Sequence, residues 1–230
     1  MDAARGEAAK RAVGRRAVDD HVRDGMCVGL GTGSTARYAI ERAVELAHAG
    51  MRLRAVPTSL DTERRCRDGG IPIVAYGTEP IDVAIDGADE VAPDWSLTKG
   101  GGGALFREKA VALAAGSFVV IVTRPKLVEK LGAFPLPVEV VPYSTTFVAR
   151  EIASLGAEVA LRRGPEGKAF VTDNGNAILD CRFGTIEAPA DLDRMLRTFH
   201  GVVATGIFTG LASRVLAGDD DGTVRDLPKP

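Results

Sequence analysis

The fold is decided by one stretch of sequence, IDVAIDGADE at residues 81–90 followed by KGGGGALFREK at residues 99–109. Apolar residues alternate at positions 81, 83 and 85, which predicts a buried strand that ends at Asp86. Four consecutive glycines then precede an apolar run typical of a helix over residues 104–115. In parallel α/β proteins, ligands bind at the carboxyl ends of the strands. This stretch therefore predicts both a parallel sheet and a ligand site.

Strands and helices alternate through the rest of the first half of the chain. The sequence predicts an amphipathic helix over 3–22, a short buried strand from residue 25 with a helix toward residue 50, a strand over 53–56, a helix over 61–68 and a strand over 71–76. FVVIV at 118–122 is an apolar run of the kind expected in a central parallel strand. We therefore expect an α/β fold with a doubly wound, mostly parallel Rossmann-like sheet.

The pattern changes at FPLP, residues 134–137, where two prolines indicate a boundary. Beyond it the sequence predicts a strand over 138–141, a helix over 144–155, a strand over 158–161, strands on both sides of Asn174-Gly175, a helix over 190–198 and a strand from residue 202. This βαββαβ order is that of a ferredoxin-like α+β domain. We expect residues 1–129 and 207–230 to form the Rossmann-like catalytic domain, and residues 130–206 to form an inserted ferredoxin-like domain.

Composition argues against several classes of function. Twenty-nine basic and 31 acidic side chains give a formal charge of −2, which disfavours bulk binding to nucleic acid or anionic membranes. The three cysteines form no C-x-x-C pair and none of the three histidines lies in a motif, so disulfides, zinc and histidine catalysis are poorly supported. No apolar run approaches the roughly 20 residues that span a bilayer, and the N-terminus lacks a signal-peptide core. We expect a soluble, cytoplasmic protein.

A second candidate site lies in GLGTGSTA, residues 29–36. Its glycines allow an anion to approach the backbone, the following helix offers N–H groups, and Thr32, Ser34 and Thr35 add hydroxyl donors. A dinucleotide is less well supported, because Ser34 stands where G-x-G-x-x-G requires its third glycine and no acid ends the next strand. The spacing of a Walker loop is also missing. The sequence favours an anion the size of a sugar phosphate, with a nucleotide and a purely structural turn as alternatives.

The opening stretch combines acids, a lysine and glycine N–H donors. Asp86 and Asp89 are separated by two small residues, so both can face one pocket, although a turn-forming role is the alternative for either one alone. Glu108 lies about one turn into its helix and can point back at the glycines, but an acid there also complements the helix dipole. Lys99 and the N–H groups after it can stabilise a developing oxyanion. This combination fits proton abstraction next to a carbonyl group.

Five motifs together resemble the ribose-5-phosphate isomerases of type A, namely GLGTGSTA (29–36), DGADE (86–90), KGGGGAL and REK (99–109), FPLPVEV (134–140) and VTDNGN (171–176). The resemblance covers nearly the whole chain. It implies metal-independent interconversion of D-ribose 5-phosphate and D-ribulose 5-phosphate in the pentose phosphate pathway, through an enediol or enediolate. It also implies a homodimer or homotetramer with no cofactor, no nucleic-acid partner and no membrane association.

The resemblance also implies a role for each candidate residue. Glu108 is the base that moves a proton between C1 and C2, Asp86 and Asp89 bind the sugar hydroxyls and ring oxygen, and Lys99 lies beside the oxygen that gains charge. The implied substrate-binding residues are Thr32, Gly33, Ser34, Thr35, Gly87, Ala88, Gly100, Gly101, Gly102, Lys126 and Lys10. The alternative function is a non-enzymatic sugar-phosphate sensor of the same fold, which the presence of Glu108 disfavours.

Overall fold

The structure is a computed structural model that describes residues 2–164 and 167–230. The chain divides into two compact units. The first contains the residues up to Ala88, Arg107–Leu127 and Leu211–Pro230, and the second contains Asp89–Phe106 and Val128–Gly210. Among the described residues, no helix combines the length and the apolar character needed to cross a membrane.

A six-stranded sheet forms the centre of the first unit. Its strands, in sheet order, are β13 (Val224–Asp226), β12 (Arg214–Gly218), β6 (Phe118–Thr123), β3 (Val83–Asp86), β1 (Cys27–Leu30) and β2 (Arg54–Pro57). All neighbouring strands are parallel except β12 and β13, which form a hairpin with a turn at Asp221-Gly222. The predicted mostly parallel α/β sheet is confirmed.

The helices of this unit are α1 (Asp2–His21), α2 (Ala36–His48), α3 (Leu60–Asp68) and α4 (Leu105–Ala114), whose first two residues belong to the second unit. The apolar face that the sequence predicts for α1 is buried, with Ala9, Val13 and Ala17 at 0% exposure. Val13 and Ala17 pack in one core cluster with Ile85 of β3 and Ile121 of β6. This packing explains why α1 is a long helix with basic side chains on its opposite face.

The predicted strand over residues 71–76 is wrong. Only Ile73 forms a bridge there, with Ala55 of β2, and residues 76–79 turn away. The Pro72 carbonyl accepts from the Ala55 N–H and the Val74 N–H donates to the Ala55 carbonyl, each at 2.9 Å. Pro72 has no N–H group with which to extend this pairing toward residue 71.

The second unit contains a four-stranded antiparallel sheet. Its strands, in sheet order, are β10 (Val202–Thr205), β7 (Leu136–Val140), β9 (Ala177–Arg182) and β8 (Glu158–Leu161), with helices α5 (Thr145–Ser154) and α6 (Pro189–Leu196). Along the chain these elements follow the predicted order βαββαβ. The strand predicted before Asn174-Gly175 is wrong, because Thr172, Asn174 and Asn176 bend this segment to donate hydrogen bonds to the buried Glu139 carboxylate.

A small third sheet in the second unit was not predicted. It consists of β11 (Ile207–Phe208), β5 (Leu97–Thr98) and β4 (Glu90–Val91). β4 and β5 form a hairpin whose turn holds Trp95 at φ 62°. The second unit therefore contains residues 89–106 and 207–210, which lie outside the predicted inserted domain at 130–206. The boundaries of that domain stay a prediction.

Candidate active site

Four parallel strands of the first unit end at the same edge of the sheet, where the candidate residues follow them. β1, β2, β3 and β6 end at Leu30, Pro57, Asp86 and Thr123. β2 lies on one side of β1 and β3 lies on the other, so the chain reverses direction across the sheet at β1. Such a reversal opens a crevice at the carboxyl ends of the strands, which is the usual ligand position in this class of sheet.

The loop between β1 and α2 is bound to the end of β3. The backbone N–H of Gly31 donates to the Ile85 carbonyl at 3.0 Å, and the N–H of Thr32 donates to Asp86 Oδ1 at 3.1 Å. Gly33 and Ser34 are exposed beyond these bonds. The Thr35 side chain makes no capping bond to α2 within the described part of the chain. The loop thus presents hydroxyl groups and a helix N-terminus to solvent, as an anion site requires.

Asp86 is 3% exposed, and its carboxyl group is oriented by the backbone. Its Oδ1 accepts hydrogen bonds from the N–H groups of Thr32 and, at 2.7 Å, of Gly87. Asp86 therefore stabilises the turn that follows it, which was the structural alternative to a role in binding. Gly87 and Ala88, which follow it, are partly buried.

Glu108 lies in the first turn of α4 and is 4% exposed. An acid can complement the helix dipole while it is exposed to solvent, so burial of this carboxyl group exceeds what that alternative requires. Burying a carboxyl group is costly, and such costs are commonly met at functional sites. The geometry therefore favours a chemical role for Glu108.

The two predicted lysines of the first unit lie in different elements. Lys126 is partly buried in the short 3-10 helix Arg124–Lys126 that directly follows β6. Lys10 lies on α1, where its Nζ pairs with Glu7 at 2.8 Å. Glu7 also accepts hydrogen bonds from Tyr38 and Arg37 near the start of α2. The bonds from Lys10 and Tyr38 lower the pKa of Glu7 to about 2, so the carboxylate stays charged opposite Lys10.

The remaining acid and lysine flank the β4–β5 hairpin of the second unit. Asp89 directly precedes β4 and Lys99 directly follows β5, and the ladder between the two strands ends at the pair Glu90 and Thr98. The N–H of Asp89 donates to the Thr98 carbonyl at 2.8 Å. Lys99 is 2% exposed, and its Nζ lies 5.5 Å from the centre of the Phe208 ring, a cation–π contact.

Glu90, which the sequence groups with the two aspartates, has a structural role. Its two carboxylate oxygens accept hydrogen bonds from Thr98 Oγ1 at 2.9 Å, the Gly132 N–H at 3.0 Å and the Phe134 N–H at 2.8 Å. The Phe134 ring in turn lies against Gly101, where an added Cβ would come within 3.0 Å of Phe134 Cζ. Glu90 therefore fixes the aromatic wall beside the glycine loop.

The glycine loop, residues 100–103, forms a tight turn that only glycine can adopt. Gly100 and Gly103 have φ angles of 102° and 84°, and the Gly103 N–H donates to the Gly100 carbonyl at 2.9 Å. Gly101 and Gly102 are exposed, and the Gly101 N–H donates to Asp89 Oδ2 at 2.8 Å. The predicted N–H donors of this loop therefore include one that is already bound to Asp89.

Arg162 contacts this loop but was missed by sequence reasoning. Its Nη1 donates to the carbonyl oxygens of Gly100 and Gly101 at 2.8 and 3.2 Å. Arg162 lies about 60 residues beyond the loop in sequence and belongs to no motif, so only tertiary structure reveals the contact.

The structure brings several predicted residues together within each unit. In the first unit, Thr32, Asp86 and Gly87 are joined by hydrogen bonds. In the second, Asp89 accepts a hydrogen bond from the Gly101 N–H and donates one to the carbonyl of Thr98, the residue before Lys99. Within the described ranges, no group of three His, Cys, Asp or Glu side chains is arranged to hold a metal ion. The role of each residue stays a prediction.

Comparison with known proteins gives consistent matches. The family model for ribose 5-phosphate isomerase A (phosphoriboisomerase A) matches residues 54–222. The ribose-5-phosphate isomerase A of Gloeobacter violaceus is 48% identical over 216 residues, covering 93% of each chain. That of Methanothermobacter thermautotrophicus is 46% identical over 216 residues, covering 93% of this chain and 95% of the relative.

Solved structures agree with these relatives. The structure of ribose 5-phosphate isomerase A from Methanocaldococcus jannaschii is similar to this chain with a TM-score of 0.91 and 38% identity, covering 97% of this chain and all of the other. A D-ribose-5-phosphate isomerase in complex with phospho-erythronic acid is similar with a TM-score of 0.90 and 38% identity, covering 95% and 97% of the two chains.

Proposed function

The chain belongs to the ribose-5-phosphate isomerase A family and isomerises ribose 5-phosphate, and we propose that it does so by proton transfer between C1 and C2 with Glu108 as the base. Once the sugar ring is open, removal of the C2 proton from the aldose gives an enediolate. Transfer of the O2 hydroxyl proton to O1, together with return of the carbon-bound proton to C1, gives ribulose 5-phosphate. The atoms balance without an oxidant, a reductant or a metal, and a single carboxylate can serve both steps.

The observation that carries this proposal is the burial of Glu108 in the first turn of the helix that follows the glycine loop. A carboxylate kept from water is a stronger base than a solvated one. It also protects a reactive enediolate from protons of bulk solvent.

The charge that develops on the substrate oxygens needs its own stabilisation. We assign this to Lys99 and to N–H groups of the glycine loop. Lys99 is buried with its ammonium group against the face of Phe208, so little reorganisation is needed when the substrate oxygen gains charge. We assign Asp86 and Asp89 to the sugar hydroxyls and the ring oxygen, where a carboxyl group can help to open the ring.

The phosphate is assigned to the loop between β1 and α2. Thr32, Gly33, Ser34 and Thr35 offer hydroxyl and N–H donors at a helix N-terminus, a common arrangement for binding phosphate. Lys126 and Lys10 are assigned supporting positive charge. The related isomerase solved with phospho-erythronic acid supports a phosphorylated sugar as the ligand, because that compound carries a phosphate at one end and a carboxylate at the other.

The decisive test is turnover of ribose 5-phosphate in the presence of EDTA by the wild-type protein and by Glu108→Gln. The amide cannot accept the C2 proton, so kcat is expected to fall by roughly 10²–10⁴-fold while the protein stays folded. Asp191→Asn is a matched control, because Asp191 is also an acid in the first turn of a helix, α6, but is exposed and pairs only with Arg194 among the described contacts.

The outcomes of this test distinguish catalysis by Glu108 from the alternative function of a sugar-phosphate sensor. Wild-type turnover in the Glu108→Gln protein would remove Glu108 from its role as base. Binding of ribose 5-phosphate by the wild-type protein without turnover would instead favour the sugar-phosphate sensor. In heavy water, deuterium enters the product only to the extent that the proton on Glu108 exchanges with solvent before it reaches C1, so a base shielded from water is expected to give less than one deuterium per turnover.

We also propose an oligomeric state and a cellular location for the protein. The resemblance implies a homodimer or homotetramer, and the second unit exposes apolar side chains near α5, with Tyr143 at 98% and Phe147 at 44% exposure. A dimer or tetramer in light scattering would support this expectation, and a monomer at micromolar concentration would contradict it. The composition and the three free cysteines favour the cytoplasm as the location.

A further inference from the structure

One side chain of the second unit, Arg162, fixes both carbonyl groups at the centre of the glycine loop. Nη1 of its guanidinium group donates to Gly100 O at 2.8 Å and to Gly101 O at 3.2 Å. The loop has no side chains of its own to restrain it, and glycine peptides rotate at low energetic cost. The orientation of these two peptides therefore depends on the group that holds their carbonyl oxygens.

Arg162 is itself held rigidly. Its Nε donates to Asp180 Oδ2 at 2.9 Å and its Nη2 donates to Oδ1, a two-point ion pair with 13% side-chain exposure for the arginine. Its backbone N–H donates to Ile178 O at 2.8 Å, and its carbonyl accepts from Phe170 N–H at 2.9 Å. The Phe170 ring lies 5.9 Å from the guanidinium carbon and also packs against Gly103. The guanidinium group thus has one defined position under the loop.

The geometry of a trans peptide carries this restraint to the other side of the loop. Because C=O and N–H of one peptide point in opposite directions, holding the Gly100 carbonyl directs the Gly101 N–H away from Arg162. That N–H donates to Asp89 Oδ2 at 2.8 Å. Asp180, Arg162, one peptide group and Asp89 therefore form a continuous series of charge-assisted hydrogen bonds. By the same reasoning, holding the Gly101 carbonyl directs the N–H of Gly102 away from Arg162.

We propose that Arg162, oriented by Asp180, is a positioning residue for the isomerase reaction. It sets the direction of the Gly102 N–H and the orientation of the Asp89 carboxylate without contacting substrate. This inference rests on the proposed function, in which the loop N–H groups stabilise the developing oxyanion and Asp89 binds the sugar. Loss of the restraint acts mainly on the transition state, because the donors matter most when negative charge develops.

The test compares kcat and KM of Arg162→Ala with those of Arg163→Ala. Misplacing catalytic groups by a fraction of an ångström to an ångström lowers rates substantially, so Arg162→Ala is expected to lower kcat by about 10- to 100-fold and to change KM by less than about 3-fold. Arg163 is the matched control, because it is the adjacent arginine, is exposed, and donates to Gly167 O rather than to the glycine loop. Arg163→Ala is expected to keep wild-type kcat.

Hydrogen exchange gives a readout that does not depend on turnover. In Arg162→Ala, peptides that cover residues 97–105 are expected to exchange their amide protons faster than in the wild type, while Arg163→Ala leaves this segment unchanged. Added guanidinium ion at a non-denaturing concentration is expected to restore part of kcat in Arg162→Ala. A loss of stability alone would not be reversed in this way.

The outcomes are separable from those of the proposed function. Inactive wild-type protein would overturn the isomerase mechanism, whereas active wild-type protein with kcat in folded Arg162→Ala within twofold of wild type would overturn the positioning role. If Arg162→Ala does not fold, Arg162→Lys decides, because an ammonium group cannot bind two carbonyls and a carboxylate in the same planar geometry. A loss in kcat of about fivefold or more in that variant supports the role, and wild-type kcat contradicts it.

Discussion

At the scale of single residues, the space beside Gly31 is occupied by the carboxyl group of Asp86. A Cβ atom added to Gly31 would lie 2.0 Å from Asp86 Oδ1 and 2.2 Å from its Cγ. No real Cβ contact is this short, so any side chain at residue 31 must displace the carboxyl group. Gly31 in the loop between β1 and α2 and Asp86 at the end of β3 are therefore packed directly against each other.

Gly31→Ala is expected to lower both stability and activity for this reason. Overpacking of this kind typically costs about 1–3 kcal/mol in the free energy of unfolding, and displacement of Asp86 is expected to lower kcat/KM by at least about 10-fold. Urea unfolding and the isomerase assay measure the two effects. Gly6→Ala on α1 is the control, because no atom lies within 4 Å of an added Cβ there. An active Gly31→Ala protein of wild-type stability would contradict this explanation.

Residue type and spacing were sufficient to predict that Asp86 ends a strand and that Glu108 lies in the first turn of a helix, but not which side chains support the neighbouring loops. Asp86 and Glu108 could be predicted because a strand end and a helix start have recognisable local patterns. Arg162 could not, because its contact with the loop depends on the pairing of β8 with β9 and leaves no periodic signal. The structural role of Glu90 was equally hidden, since its partners Gly132 and Phe134 lie more than 40 residues away.

At the scale of elements, helix α3 supports the loop between β1 and α2 through a series of hydroxyl groups. Ser59 caps α3 by accepting from the Thr62 N–H at 3.1 Å. The Ser59 hydroxyl donates to Thr62 Oγ1 at 3.0 Å, and Thr62 Oγ1 donates to the Gly31 carbonyl at 2.8 Å. Thr58 and Thr32 share a further hydrogen bond of 2.7 Å. The start of α3 therefore determines the position of the loop after β1.

Ser59→Ala is expected to destabilise the protein, because it removes the cap and leaves the Thr62 N–H without its side-chain acceptor. Loss of an N-cap hydroxyl typically costs about 0.5–2 kcal/mol, and the buried position of Ser59 places it toward the upper end. The free energy of unfolding in urea measures this change. Ser154→Ala is the control, because its exposed hydroxyl donates only to the Glu151 carbonyl at the end of α5. Equal stabilities of the two variants would contradict the capping role.

Long elements were predicted well, and very short ones were not. The predicted helix over 61–68 and strand over 158–161 match α3 and β8 to within one residue. The two-residue strands β4, β5 and β11 are too short to show periodicity, so the third sheet escaped prediction. The strand wrongly predicted over 71–76 has apolar residues at the spacing of a strand. Pro72 has no N–H group to donate to a neighbouring strand, and only Ile73 forms a bridge.

At the scale of the whole molecule, the three cysteines occupy buried positions in both units. Cys27 and Cys66 lie in the first unit and Cys181 lies in the second, each at 1% exposure or less. Burial raises the pKa of Cys27 to about 11 and the pKa values of Cys66 and Cys181 to about 12. All three side chains therefore stay protonated thiols at neutral pH and behave as small apolar groups.

Thiol labelling tests this expectation. At pH 8 the native protein is expected to react with less than about one equivalent of a disulfide reagent in minutes, and all three thiols to react in denaturing guanidinium chloride. The raised pKa values also make the stability of the fold depend on pH. The unfolded thiols ionise near pH 9 and the folded ones only near pH 11–12, so stability is lost as pH rises through this window. Rapid stoichiometric labelling of native protein would contradict burial as the cause.

The β4–β5 hairpin contains the only tryptophan of the chain, and this gives the second unit an optical signal of its own. Trp95 is 6% exposed at the turn of the hairpin, whose open end carries Asp89 and Lys99. Indole emission shifts with the polarity of its surroundings, and no second tryptophan contributes to the emission. The fluorescence of unlabelled enzyme is therefore a local spectroscopic probe of the hairpin that carries this acid and lysine.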